Sequence, residues 1–199
     1  MPKYKEILEA DCYYHIYNRA NGNEQLFLKE DNYSYFLQKY NSYISPIADT
    51  FAYCLMPNHF HFLVRIKDLP PSIFQKFQTF EKFASKQFSN LFSSYTQAFN
   101  KQNNRKGSLF MPRFNRIKIT SHEYLINVIN YIHQNPVNHE LAENIEDWKY
   151  SSFNVFLSNK ETNIRRDEII ELFDDIENFI YYHKTQNSEK YALEMELSY

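Results

Sequence analysis

Apolar positions recur with two different periods along this chain, and the switches between them mark the elements. Cys12 to Asn18 is aromatic and β-branched, which predicts a strand, broken by Asn21-Gly22-Asn23. Asp31 is placed to cap a helix carrying Phe36, Leu37, Tyr40 and Ile44 at helical spacing. Phe51–Met56 and His59–Ile66 read as two strands joined by a Pro57-Asn58 turn, and Pro70-Pro71 stops the pair. A long helix follows, with Ser72 as its expected cap and Phe77, Phe80, Ala84, Phe88, Leu91 and Tyr95 on one face. Asn100 to Ser108 reads as a polar, basic loop. Phe114 to Thr120 alternates strictly, Ile117 and Ile119 on one face, Arg116 and Lys118 on the other. Thr120 and Glu123 have capping-box spacing and open a helix expected to end near Gln134, ahead of Pro136. Glu168 to His183 reads as one last amphipathic helix, and Gln186 to Tyr199 as a tail. Two adjacent strands joined by a turn cannot be parallel, so the pattern gives an α+β fold with an antiparallel sheet covered by helices.

Composition narrows the chemistry. Gly22 and Gly107 are the only glycines in 199 residues, which excludes a Gly-rich phosphate cradle or dinucleotide fingerprint. Two cysteines exclude a disulfide scaffold or a four-cysteine zinc site, so the chain reads as intracellular. Met1 to Ala10 has no apolar signal core, and no run approaches the ~20 apolar residues of a membrane helix.

Charge is distributed unevenly. Residues 82–122 carry eight cations (Lys82, Lys86, Lys101, Arg105, Lys106, Arg113, Arg116 and Lys118) and no acid, while residues 140–199 carry 14 acids against six bases. Such a stretch is either a solvated face answering the acidic C-terminal third or a surface for phosphates, with Phe110, Phe114 and asparagines interleaved.

Two constellations carry candidate chemistry. In a strand, His59 and His61 leave the same face, while Phe60 and Phe62 point to the other. Two imidazoles so placed can hold one metal ion; two hydrogen-bonded or solvated histidines give the same pattern, and spacing does not choose between them. Two histidines are too few for a closed zinc site, so an open, oxygen-completed site for a catalytic divalent ion fits better. On the helix from Ser121, Leu125, Val128, Ile129 and Ile132 form the core face. Tyr131 falls on its flank, about 110° away, with Tyr124, Asn127 and Asn135. It is either an amphipathic tyrosine with its hydroxyl in water or a nucleophile beside a polar ligand. His15 reads as structural, and His122, His133, His139 and His183 take no role.

Five segments together resemble a known family: Tyr14-His15-Ile16-Tyr17-Asn18-Arg19, Tyr53 through Val64 with Pro57-Asn58-His59-Phe60-His61, Phe110-Met111-Pro112-Arg113-Phe114, Tyr131-Ile132-His133-Gln134-Asn135-Pro136-Val137, and Trp148 to Phe153. They are similar to the single-tyrosine HUH transposases of small insertion sequences, above all the branch associated with repetitive extragenic palindromes (REP). The resemblance covers about residues 12–155 and implies a ferredoxin-like antiparallel sheet flanked by helices. It divides the chain into a catalytic domain, 1–155, and an acidic helical extension and tail, 156–199. It implies cleavage of single-stranded DNA beside a hairpin, with His59 and His61 holding Mg²⁺ or Mn²⁺ and Tyr131 attacking the scissile phosphate. The products are a 5′-phosphotyrosine link and a 3′-hydroxyl that can rejoin strands. The third ligand maps to Asn135, with Gln134 as competitor. Arg105, Lys106, Arg113, Arg116 and Lys118 are the DNA-contact candidates. The chain departs from the family where Ala20 and Pro112 replace glycine, and near Glu140, where a glycine is frequent.

A cytoplasmic protein working at the nucleoid, with no membrane partner, is expected. The family includes dimers as well as monomers, and nothing in the chain decides between them. The competing readings are a domesticated hairpin-binding protein without cleavage and a metal-dependent phosphoesterase using water.

Overall fold

The structure, a computed structural model, describes residues 6–186. The expected tail lies outside the described residues, apart from Gln186. Strand β1 (Tyr13–Arg19), helix α1 (Glu30–Tyr43), strands β2 (Ala48–Met56) and β3 (His59–Ile66), a single turn of helix α2 (Pro71–Phe74), helix α3 (Phe80–Gln102) and strand β4 (Asn115–Ile119) come first. Helix α4 (His122–Asn138), a 3-10 turn (Ile145–Asp147) and helices α5 (Phe153–Phe156), α6 (Arg166–Leu172) and α7 (Ile176–Thr185) follow. Among the described residues no helix is long and apolar enough to cross a membrane.

The four strands form one sheet in the order β2-β3-β1-β4, every neighbour antiparallel. This is the ferredoxin-like α+β arrangement expected from the sequence. β1 and β3 are the central pair, and both sheet faces are covered. On one face α1 and α3 pack against Tyr14, Ile16, Phe60, Phe62 and Val64, with Phe36, Phe88 and Tyr95 fully buried. On the other, α4 and the segments after it pack against Tyr17, Leu63, Ile117 and Ile119 through Val128, Ile129, Ile132, Phe153 and Phe179. Burying each such aromatic stabilises by roughly 1.5–3 kcal/mol. Two cores thus clamp the strand that carries His59 and His61.

Several boundaries differ from expectation, each for a local reason. Lys29, not Asp31, is the N-cap of α1, because Asn32 Oδ1 reaches back to the backbone N–H groups of Leu28 and Lys29 at 3.0 and 3.1 Å. The long helix starts at Phe80 under Thr79, whose hydroxyl accepts from Lys82 N at 3.2 Å; Ser72 sits in α2, and Phe77 in the connection. β2 begins three residues early, at Ala48, and its register shifts between Thr50 and Ala52. Ser121, not Thr120, caps α4, accepting from Tyr124 N at 3.1 Å. α4 also runs through Pro136 to Asn138. A proline so near the end forfeits one hydrogen bond, and the end itself is well closed. Glu140 takes φ 56°, and Leu141 N and Glu140 N donate to the carbonyls of Pro136 and Val137 at 2.8 and 3.0 Å. This is a Schellman closure with glutamate in the left-handed position that glycine usually takes. The single C-terminal helix is instead two, α6 and α7, separated where Asp174 adopts φ 69°.

A buried histidine pair ties α7 to the sheet. His183 Nδ1 faces the Phe179 carbonyl at 2.8 Å and must donate to it. His183 Nε2 therefore accepts from His133 Nδ1 at 2.9 Å, and His133 Nε2 accepts from the Ser152 hydroxyl at 2.9 Å. The Ser152 hydroxyl can also donate to the Tyr53 carbonyl at 3.2 Å, so what opposes an added proton is burial rather than a broken chain of hydrogen bonds. Burial among Phe153, Phe156 and Phe179 pushes His183 down to about 4 and holds His133 well below the imidazole range. The unfolded chain, with ordinary histidines near 6.5, binds more protons than the folded one as pH falls from about 6.5 toward 4, so stability falls with it. Each such site costs up to about 1.4 kcal/mol per pH unit. Melting temperature measured from pH 7.5 to 4.5 is expected to drop, and His183→Gln, neutral throughout, to flatten the slope.

Candidate active site

The alternation of β3 sends Phe60 and Phe62 into the α1/α3 core and His59 and His61 toward α4. There His61 is fully buried and His59 is 8% exposed. Asn58 Oδ1 lies 2.7 Å from His59 Nδ1. An amide oxygen only accepts, so Nδ1 carries the ring proton and Nε2 is left as a lone pair. That lone pair faces Asn135 Oδ1, another acceptor, at 2.9 Å, with the amide oxygens placed as they are. Burial pushes His59 down to about 4, against the pull of the Asn135 contact, so a second ring proton does not reconcile the two acceptors at neutral pH. Burial, then His15 and His59, holds His61 well below its ordinary range. His61 Nε2 and Asn135 Nδ2 are buried without a hydrogen-bond partner.

This donor set fits a hard divalent cation. Two ligands at right angles on an octahedral ion at about 2.1 Å lie about 3 Å apart, close to the observed Nε2···Oδ1 separation. Among the described residues no three His, Cys, Asp or Glu side chains gather into a metal-holding group, so such a site rests on two histidines and an amide oxygen.

Tyr131 lies one turn before Asn135 on α4. Its ring meets His61 edge-on at 5.3 Å between centroids and His15 at 5.9 Å. The residue is 2% exposed and lines a cleft of about 660 Å³ with Arg19, Asn23, Asn58, His59 and His139. Two other polar side chains of α4 are used elsewhere. Asn127 accepts from the Tyr182 hydroxyl at 2.7 Å, and the Gln134 amide donates to the His183 carbonyl. Of the two candidates for third ligand, Asn135 is the one that faces the histidines.

The basic candidates do not share that face. Arg116 ion-pairs with Glu81 at 3.1 Å, donates to Ser85 at 2.6 Å and lies over the Phe114 ring. Lys118 pairs with Glu9. Both leave β4 on the α1/α3 side of the sheet. The loop expected from Asn100 begins only at Asn103, since α3 runs to Gln102; Arg105 pins it through Glu24, Asn100 Oδ1 and the Ser108 carbonyl, while Lys106 is exposed. Arg113 and Arg116 line a second cleft, about 730 Å³, between α3 and the 108–116 segment. Its wall includes Asn18, Phe92, Gln97 and Phe114. Asn18 and Arg19 are consecutive on β1, so their side chains leave opposite faces of the sheet, Asn18 into this cleft and Arg19 into the one lined by Tyr131.

Three residues of the site carried no candidate role in the sequence reading. His15 lies 2.9 Å from His61 Nδ1, His139 packs its ring 5.0 Å from that of His59, and Arg19 brings a cation into the cleft. Arg19 lies outside the basic stretch, and the strand pairing that brings His15 to His61 leaves no mark on local pattern. His139 follows a proline that was expected to end the helix.

No protein-family model matches the chain. A Haemophilus influenzae (strain ATCC 51907 / DSM 11121 / KW20 / Rd) protein described as a "Putative REP-associated tyrosine transposase" is 31% identical over 107 residues. The match takes in 53% of this chain and only 58% of that relative's length. The solved structure of a REP-associated tyrosine transposase bound to a REP hairpin superimposes with a TM-score of 0.64 at 16% identity, covering 80% of this chain and 87% of that one. In sequence over half its length, and in fold over four-fifths of it, this chain is similar to REP-associated tyrosine transposases.

Proposed function

We propose that this chain is a metal-dependent single-stranded DNA transposase that cuts beside a folded hairpin through a 5′-phosphotyrosine link and rejoins strands. The observation that carries this reading is the placement of Tyr131 against His61, in a cleft it lines with His59, whose Nε2 faces Asn135 one helical turn further along α4. Its support from comparison is the similarity to a protein described as such a transposase and the shared fold with one solved on a hairpin.

The chain's own residues divide the work. Tyr131 attacks the scissile phosphorus through its phenol oxygen; the new O–P bond replaces the bond to the 3′ oxygen, which leaves as a hydroxyl. The phosphodiester energy stays in the link, so rejoining needs no nucleotide. His59, His61 and Asn135 would hold Mg²⁺ or Mn²⁺, which supplies a Lewis acid at the phosphate oxygens. Burial of the Tyr131 ring against two histidines fixes the direction of attack, which is where most of the advantage of an intramolecular nucleophile arises. Arg19 offers a fork for the phosphate in the cleft. Arg113 lines the cleft beside α3 and would contact DNA that reaches round to that side of the sheet.

The test is a covalent-adduct assay on labelled hairpin oligonucleotides taken from the flanks of the gene. A denaturing gel is expected to show a protein–DNA band with Mg²⁺ or Mn²⁺ and none after chelation. Asn135→Ala should weaken it about 10- to 100-fold, the usual effect of disturbing a metal's support. Gln134→Ala, which removes an amide that donates to the His183 carbonyl, should leave it within about twofold. Tight hairpin binding without an adduct over many flanks would replace this reading with a binding-only protein.

A further inference from the structure

His15 sits fully buried on β1, with its Nε2 2.9 Å from His61 Nδ1. The contact is a diagonal one across the central strand pair, where Tyr17 is the direct partner of His61 and Leu63 that of His15. Aromatic rings hold it in place. His15 stacks on Tyr17 at 4.9 Å and on His61 at 5.0 Å, with interplanar angles of 28° and 21°, and Tyr131 closes the group edge-on. The two imidazoles have no room to turn independently.

A hydrogen bond between two neutral imidazoles needs one N–H and one lone pair. If His61 donates from Nδ1, its Nε2 is a lone pair. If His15 donates instead, His61 carries its proton on Nε2 and cannot ligate. Hydrogen bonding alone does not choose, since each arrangement strands one buried N–H, at His15 Nδ1 in the first and at His61 Nε2 in the second. The metal-site reading does choose, because only the first leaves His61 Nε2 a lone pair, like the facing acceptor atoms His59 Nε2 and Asn135 Oδ1.

We infer that His15 is a positioning residue, accepting the Nδ1 proton of His61 and so holding the His61 Nε2 lone pair ready for the divalent ion. This rests on the metal-site reading proposed above, and it assigns to β1 the support that metal-bound histidines generally receive from a carboxylate, carbonyl or water. Here a second histidine gives it, which keeps the support uncharged within an apolar surround.

The experiment has two readouts on the purified full-length chain. The first needs no metal: long-range ¹H–¹⁵N correlation spectra of ¹⁵N-histidine-labelled protein at neutral pH report each ring's tautomer, His61 being assigned by its loss in His61→Gln. The native chain is expected to show His61 protonated on Nδ1; protonation on Nε2 overturns the inference. The second is Mn²⁺ titration followed by electron paramagnetic resonance, without DNA. His15→Leu, which fills the space but cannot accept, is expected to weaken Mn²⁺ binding about 10- to 100-fold, and His15→Gln, whose amide oxygen can accept, to recover most of it. Equal Mn²⁺ affinity in His15→Leu and the native chain overturns the inference. A native chain that shows the Nδ1–H tautomer but binds no Mn²⁺ overturns the metal-site reading and the purpose assigned to His15, while its hydrogen bond stands.

Discussion

Tyr131→Phe is expected to abolish the covalent protein–DNA band and strand cleavage while leaving hairpin binding within about twofold of native. The substitution removes one oxygen. The ring keeps its edge-on contacts with His61 and His15 and its place in the core beside Val128 and Ile132, so neither fold nor cleft shape should change. What disappears is the only atom that can form the new bond to phosphorus. Loss of an attacking nucleophile costs about 10⁴-fold or more in rate when nothing else in the site can replace it. Denaturing gels for the adduct, with fluorescence anisotropy for binding, measure both halves. A phosphoesterase that uses water would keep its hydrolytic rate in this variant, and that result would sink the tyrosine mechanism.

His61→Gln is expected to have the next largest effect, a fall of about 10³-fold in metal-dependent cleavage. Lewis-acid stabilisation of a phosphoryl transition state is worth several kcal/mol, and each 1.36 kcal/mol is tenfold in rate. Glutamine approximates the length of histidine and can still donate to His15, so the cost in stability should stay near 1–2 kcal/mol. Cleavage rates over a Mn²⁺ series, set beside the melting temperature, separate lost chemistry from lost structure. Native-like cleavage at every metal concentration would show that His61 is no ligand.

The fold was largely legible because the relevant periods are local. The alternation His59-Phe60-His61-Phe62 assigned opposite faces before any partner was known, and 100° per residue placed Tyr131 beside the core face of α4. The hairpin turn at Pro57-Asn58 fixed the antiparallel sense of β2 and β3. Helix starts were less legible, because Ser72 and Thr79 offer the same hydroxyl and only packing chooses between them. The run of α4 through Pro136 depended on a left-handed residue at Glu140 that composition does not announce. The site was half legible for a similar reason. A strand shows which residues share its own face, but not which residue of a strand 46 positions away in the chain will lie against it, as His15 lies against His61.

Internal pairing of cations changes what the basic stretch can contribute to nucleic-acid binding. Arg105, Arg116 and Lys118 already face Glu24, Glu81 and Glu9. A cation that leaves a carboxylate for a phosphate returns that carboxylate to solvent, so the entropy won from counterions shed by the DNA is partly spent on hydrating the abandoned acid. If the chain binds DNA as proposed, that binding is expected to depend on ionic strength less steeply than the eight cations of residues 82–122 suggest, well short of the slope of about −0.9 per neutralised duplex phosphate. Any preference among DNA sites would then owe correspondingly more to shape and base contacts, which salt weakens less.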